Sequence, residues 1–316
     1  MSIGVIAHLH NPSLNDAREL AVAAEAAGAD WLGLADAFWW RDVWMLLAEA
    51  ARATTSLEIG PVVTNPYLRH PFHTVAAVAT LQDLAGPRVF VGLAAGGSEV
   101  TGAAAISRTD APRRVRELAQ LIRAVAQGAP LDAASGRALE VTLHPLPVLV
   151  AGRANGLLET AGQTADRALL WAVPTSDLER SVSRIQEGAA ASRDAAGARP
   201  ELVWAPLVAH DEVSAARIRT IAAYSVLNSN RTLQQSWGLA PATIDEIRRR
   251  LVRGGAEAAM ELVPPGVIGD LVLPSADPEL AAATAHSIGA TSLAVPAFDI
   301  GSVTARVAWA RAVLAA

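Results

Sequence analysis

Two histidines stand one residue apart where an apolar run ends, in IGVIAHLH at 3–10. On an extended chain alternate side chains share a face, so His8 and His10 suit either a metal ion or proton transfer near neutral pH. A second run ends in LADAFWWRD at 34–42, where Asp36 precedes Phe38, Trp39 and Trp40. Consecutive rings at a strand end cannot all point inward, so one or two of them wall a pocket for a flat ligand. The stretch VVTNPYLRHPFH at 62–73 puts hydroxyl, amide, phenol, guanidinium and imidazole on one short connection, more than a turn needs. Two glycine-bearing loops follow. LAAGGSE at 93–99 lets backbone N–H groups approach an anion. In VLVAGRANGLLETAG at 148–162, Gly152, Arg153 and Asn155 precede a helix. That arrangement reads either as a phosphate cradle at a helix N-terminus or as a simple Asn cap beside a surface arginine.

Chemistry at strand ends needs a frame that gathers those ends. Short apolar runs alternate with helical patterns along the chain, and the runs at 3–7, 31–35, 57–63, 88–93, 147–151, 168–173, 202–209 and 291–296 read as strands. Helices are expected over 15–27, 43–53, 70–84, 112–126, 155–164, 176–195, 279–288 and 302–314. One long helical segment is expected over about 214–261. Gly28 ends the first helix as a left-handed cap, and 132–145 reads as an inserted loop or short hairpin. Strands buried on both faces read as continuous apolar runs, and eight βα units predict one α/β domain over 1–316. The expected form is a single (β/α)8 TIM-like barrel with a helical insertion at about 214–275. Two doubly wound domains are the competing architecture, but no Pro/Gly/Ser-rich linker divides the chain. In a barrel the loops after the strands carry the site.

Composition excludes several classes. The 316 residues carry no Cys, and all 26 basic residues are Arg. Thiol nucleophiles, disulfides, lysine Schiff bases and a P-loop lysine are therefore absent. A net charge of −5 predicts no nucleic-acid partner, which would want a basic face. The start lacks a signal-peptide pattern and no long apolar span stands free of charges, so a cytoplasmic protein without membrane contact is expected. A metal-dependent hydrolase built on His8 and His10 would need a bridging Lys or Glu and further His. Only His210 and Asp299 lie near suitable later strand ends, so no metal is expected.

The segments VAAEAAGADWLGLADAF, LEIGPVVTNPYLRHP, TLQDLAGPRVFVGLAAGG and VLVAGRANGLLETAGQTADRALL resemble the luciferase-like superfamily. Within it they are most similar to the coenzyme F420-dependent oxidoreductase branch typified by methylenetetrahydromethanopterin reductase. The likeness runs from about residue 3 to 210 and returns in SIGATSLAVPAF. It implies a non-proline cis peptide at Val62–Val63 behind a deazaflavin ring, with Thr64 and Asn65 bonding the ring or its ribityl chain. It implies a phosphate held near Ala95, Gly96 and Gly97, by Gly152, Arg153, Ala154 and Asn155, and by Val173, Pro174 and Thr175. Asp36 would contact the ring or orient a neighbour. A homodimer and a small-molecule substrate are implied as well.

The departures fall at acid–base positions. Ala37 stands where the family commonly has His, Ile6 where the reductase has Glu, and Gly97 and Ser98 where an acidic residue follows the strand-four glycines. The expected enzyme is an F420-dependent reductase acting on a C=N or activated C=C bond of a different substrate. His8 and His10 would supply the proton and Trp39 or Trp40 would cover the substrate. Segments 98–111, 131–145 and 225–275 would line its pocket. An FMN-dependent monooxygenase of the same superfamily is the alternative, followed by the metal hydrolase and by a non-catalytic cofactor-binding paralogue.

Overall fold

The computed structural model describes residues 1–97, 105–192 and 199–316. Eight strands run parallel: β1 (Ser2–Ala7), β2 (Trp31–Leu34), β3 (Glu58–Pro61), β4 (Val91–Leu93), β5 (Val148–Ala151), β6 (Arg167–Trp171), β7 (Glu201–Ala205) and β8 (Ser292–Ala297). Their order in the sheet is β3-β2-β1-β8-β7-β6-β5-β4. The remaining gap, between β3 and β4, is bridged by Ile59 with Val89 and Thr64 with Leu93. There Phe90 N–H donates to Ile59 O at 3.1 Å and Thr64 N–H to Gly92 O at 2.9 Å. The fold is the expected TIM-like α/β barrel.

Each early helix starts and stops on its own residues. Ser13 and Asp16 form a reciprocal capping box on α1 (Leu14–Ala27), and Gly28 closes it at φ 77°, the left-handed conformation glycine takes without cost. Asp42 caps α2 (Val43–Ala53) and Pro71 opens α3 (Pro71–Ala85). α4 (Ala111–Ala126), α5 (Asn155–Thr164) and α6 (Leu178–Ala191) complete the outer ring on that side. A single 3₁₀ turn, Thr175–Asp177, precedes α6, and positions 193–195 of the expected helix lie outside the described residues. No helix among the described residues is long and apolar enough to cross a membrane.

Inside the barrel, Ile6, Trp31, Phe90, Leu149, Leu169 and Val203 pack as one cluster. Trp31 meets Phe90 edge-on at 5.6 Å, and a Cβ on Gly4 would lie 2.0 Å from the Trp31 ring. The lower end is tied by Arg167, which reaches Glu58 at 2.6 Å and Glu201 at 3.1 Å.

Three expectations need correction. The third strand stops at Pro61 rather than residue 63, and the Val62–Val63 bond that follows is cis. The fourth begins at Val91 rather than residue 88, since Arg88 turns its guanidinium onto the Leu57 and Thr54 carbonyls. The long helix over 214–261 is three pieces, α7 (Glu212–Asn228), α8 (Arg231–Ser236) and α9 (Pro241–Met260), and α10 (Pro265–Leu271) follows within the expected insertion. Asn230 caps α8, Gly238 turns at φ 73°, and Pro241 and Pro265 each restart a helix. Ala222, Val226, Ile247 and Val267 give these helices an apolar cluster of their own. α11 (Pro278–Ser287) and α12 (Val303–Ala315) flank β8.

Candidate active site

A cavity of about 1020 Å³ opens at the C-terminal ends of the strands. Its floor and walls come from the tails of β1 to β6, and its roof from α7 and the part of α9 beyond Gly255. Gly255, at φ 77°, kinks α9 and delivers Ala256 and Glu257 to the cavity.

His8 leaves β1 with its own N–H bonded to Ala297 O at 2.8 Å. Its ring stacks on Trp171 at 5.5 Å with 26° between planes, and Phe298 lies 5.7 Å away. Loss of water, reinforced by the nearby Arg217 guanidinium, lowers its pKa to about 4. The imidazole is therefore neutral at physiological pH. His10 is exposed and meets Trp40 edge-on at 5.6 Å. The two histidines thus sit in different surroundings. Among the described residues no group of three His, Asp or Glu converges as metal ligands would, and His210 packs on Trp309 at 5.2 Å outside the cavity lining.

Asp36 enters the cavity just past β2. Burial pushes its carboxyl above the usual range, and a bond from the Thr64 hydroxyl at 2.7 Å opposes the shift. Ala37, also on the wall, is buried, and Ile6 belongs to the barrel interior. Trp39 and Trp40 both line the cavity, Trp39 being 40% exposed and leaning on Phe38 at 4.9 Å.

The remaining candidates divide. Val63, Ala95, Gly96, Gly97, Gly152, Arg153 and Ala154 line the cavity. Val62, Thr64, Asn65, Asn155, Val173, Pro174 and Thr175 do not. Val62 packs in the barrel interior over Gly33, where a Cβ would lie 2.2 Å from it. Thr64 is spent on Asp36, and Asn65, buried, accepts from Tyr67 N and Leu68 N at 3.1 and 3.0 Å. Asn155 is the first residue of α5 rather than its cap, which is Ala154, and its side chain accepts from Arg180. Val173 and Pro174 are buried, while Ser176, beside Thr175, binds Asp270 of α10 through its N–H at 2.9 Å. Ser98 lies outside the described residues.

Arg153 is enclosed between β5, β6 and α7. It donates to Trp171 O at 3.1 Å and Ser225 O at 3.5 Å, and loss of water lowers its pKa to about 10. It stays charged at neutral pH. On the same side the Ser225 hydroxyl is buried, lines the cavity and has no hydrogen-bond partner. Trp40 Nε1 is a second buried, unpartnered donor. Such groups are costly when left unmet. Sequence reasoning missed Trp171, Arg217 and Thr220, which line the cavity; Arg108 and Ser225, also in the lining, fall in the expected segments 98–111 and 225–275, whereas no residue of 131–145 reaches it. The signal was available for α7: positions 217, 220, 221, 224, 225 and 228 repeat at helical spacing.

A parallel barrel with an aromatic and arginine-rich cavity at the C-terminal mouth defines an α/β-barrel enzyme class. The chain belongs to the luciferase-like monooxygenase family, whose model matches residues 1–291. A 5,10-methylenetetrahydromethanopterin reductase from Archaeoglobus fulgidus is 25% identical over 236 residues, covering 72% of this chain and 71% of that protein. The coenzyme F420-dependent tetrahydromethanopterin reductase of Methanopyrus kandleri superposes with a TM-score of 0.76 at 20% identity, over 96% of both chains. An F420-dependent secondary alcohol dehydrogenase bound to an F420–acetone adduct also gives 0.76, at 18% identity over 99% of this chain and 98% of that one.

Proposed function

We propose that this chain is an F420-dependent oxidoreductase that transfers a hydride between the deazaflavin and a small organic substrate at a C=N or activated C=C bond. The observation that carries this reading is the β5 side of the cavity, where charged Arg153 and the unsatisfied Ser225 hydroxyl face an aromatic-walled slot. Such a pair fits the anionic tail of a flat cofactor, and the relatives whose names specify F420 support the choice of cofactor.

The backbone of Ala95–Gly97 and Gly152–Ala154 lines the slot with little side-chain bulk, as a phosphate cradle requires. Val63 forms the wall behind the ring, and Thr64 and Asn65 hold that wall from inside the protein. When bound, F420 supplies the hydride, and the proton comes from the protein. Asp36, with Oδ2 engaged by Thr64 and its carboxyl pushed above the usual range by burial, is the group that would pass that proton. His8, neutral beside Trp171, shapes the slot and excludes water. We read the whole chain as one barrel domain with α7–α10 inserted before β8.

Titration of the cofactor-free protein with oxidised F420 and with FMN, followed by fluorescence, tests the proposal. Micromolar or tighter F420 binding with FMN at least about tenfold weaker is expected. A preference for FMN would assign the chain to flavin-dependent oxygenation, the chemistry in its family's name.

A further inference from the structure

Two positive poles face each other across the barrel mouth. β1 and β5 stand four strands apart in an eight-strand ring, so the loops they end in are opposite. Arg153 marks the β5 pole. Arg217, on the second turn of α7, marks the β1 pole, close enough to His8 to oppose a proton on its ring. Eight residues of helix separate Arg217 from Ser225, about 12 Å at the α-helical rise. One cofactor phosphate at Arg153 therefore leaves Arg217 unanswered.

The cavity arginines differ in how they are used. Arg108 donates to Gly96 O at 2.9 Å and Arg153 to Trp171 O at 3.1 Å. Arg217 makes no hydrogen bond or ion pair among the described residues, though it lines the cavity. Thr220, one turn further along the same face, adds a hydroxyl. The cavity's carboxylates are Asp36, held toward its neutral form, and Glu257, against three guanidinium groups. His8 stacks on Trp171 with 26° between planes, so the two rings together give the cavity a flat aromatic wall.

We infer that the substrate is a planar organic acid whose carboxylate is bound by Arg217, with Thr220 as a second donor and the unsaturated body in the slot beside His8 and Trp171. A guanidinium offers paired N–H groups that match a carboxylate. This inference rests on the oxidoreductase reading for what happens to the acid, but not for its binding.

Benzoate and its neutral isostere benzamide are the probes, titrated by calorimetry into the full-length protein with and without saturating F420. Benzoate is expected to bind about tenfold or more tightly than benzamide. Arg217→Gln is expected to shrink that preference below about threefold while leaving F420 affinity within about twofold, and Arg217→Lys to retain part of it. Equal affinity for the two probes, no binding of benzoate, or a preference that survives Arg217→Gln would overturn the inference. Benzoate selectivity in a protein that does not bind F420 would keep the acid site and sink only the cofactor reading.

Discussion

The Thr64 hydroxyl donates to Asp36 Oδ2 at 2.7 Å, joining the loop after β3 to the loop after β2. Burial and this bond act on the carboxyl in opposite senses, and burial is the larger effect. Thr64→Val removes the contact that favours the charged form, so the carboxyl moves further up. The limb of the pH–rate profile that belongs to Asp36 should shift to higher pH in that variant. Asp36→Asn should lose about 10²–10⁴-fold in turnover. Because the folded state prefers the protonated carboxyl, stability from this group is present below the unfolded value and lost as pH rises through the folded one. Asp36→Asn should therefore be more stable than the parent near neutrality, with the gain vanishing in acid. Denaturation midpoints at the two pH values check both halves.

His8 has the opposite sign. Its imidazole titrates at about 4, below the ordinary value of 6.5, so between those values the unfolded chain holds more protons than the folded one. Stability should fall as pH drops through that window. Replacing His8 by Phe, which keeps a ring against Trp171, should flatten the fall. Carbon shifts of the His8 ring, followed by NMR, should titrate near 4; a midpoint near the ordinary imidazole value would mean that water reaches the slot.

Ser225 separates stability from binding. Its hydroxyl is buried without a partner, so Ser225→Ala removes an unmet polar group and should leave the unfolding midpoint unchanged or slightly raised. F420 affinity should drop about threefold to tenfold, the worth of one hydrogen bond. A loss of stability with unchanged affinity would place the hydroxyl in a purely structural role.

Gly60 and Gly92 tie the β3–β4 seam. A Cβ on Gly60 would lie 2.3 Å from Phe90 O, and one on Gly92 2.3 Å from Pro61 O. Both clashes are with backbone, which cannot swing aside. Gly60→Ala and Gly92→Ala should each cost about 1–3 kcal/mol or more, measured by urea denaturation. Gly86→Ala is a useful contrast. A Cβ there meets nothing within 4 Å, and only the φ of 59° opposes it.

The barrel could be read from sequence because each strand is buried on both faces and leaves an unbroken apolar run. His8, Asp36, Trp40 and Gly152 were legible as strand-end residues for the same reason. What escaped was set by long-range partners. Nothing local tells that Thr64 would turn to Asp36, or that Asn155 would be taken by Arg180 from another helix. Arg217 and Thr220 escaped because the cavity-facing residues of α7 mix polar and apolar types, a pattern that resembles a solvated face until the barrel beneath it is in place. The breaks at Asn230 and Pro241 were written in the residues, yet the high Ala content around them masked the division of that segment into three helices.

The strand order also governs how the chain can be assembled. β1 pairs with β8 from Ser2 opposite Ser292 to Ala7 opposite Ala297, so the first of the eight strands waits for the last. Until then one edge of β1 offers unpaired N–H and C=O groups, a template for association between chains. Contacts of such long sequence separation slow folding. A chain cut short before Ser292 would keep seven strands and an open flank, and its fate would be aggregation rather than a smaller enzyme.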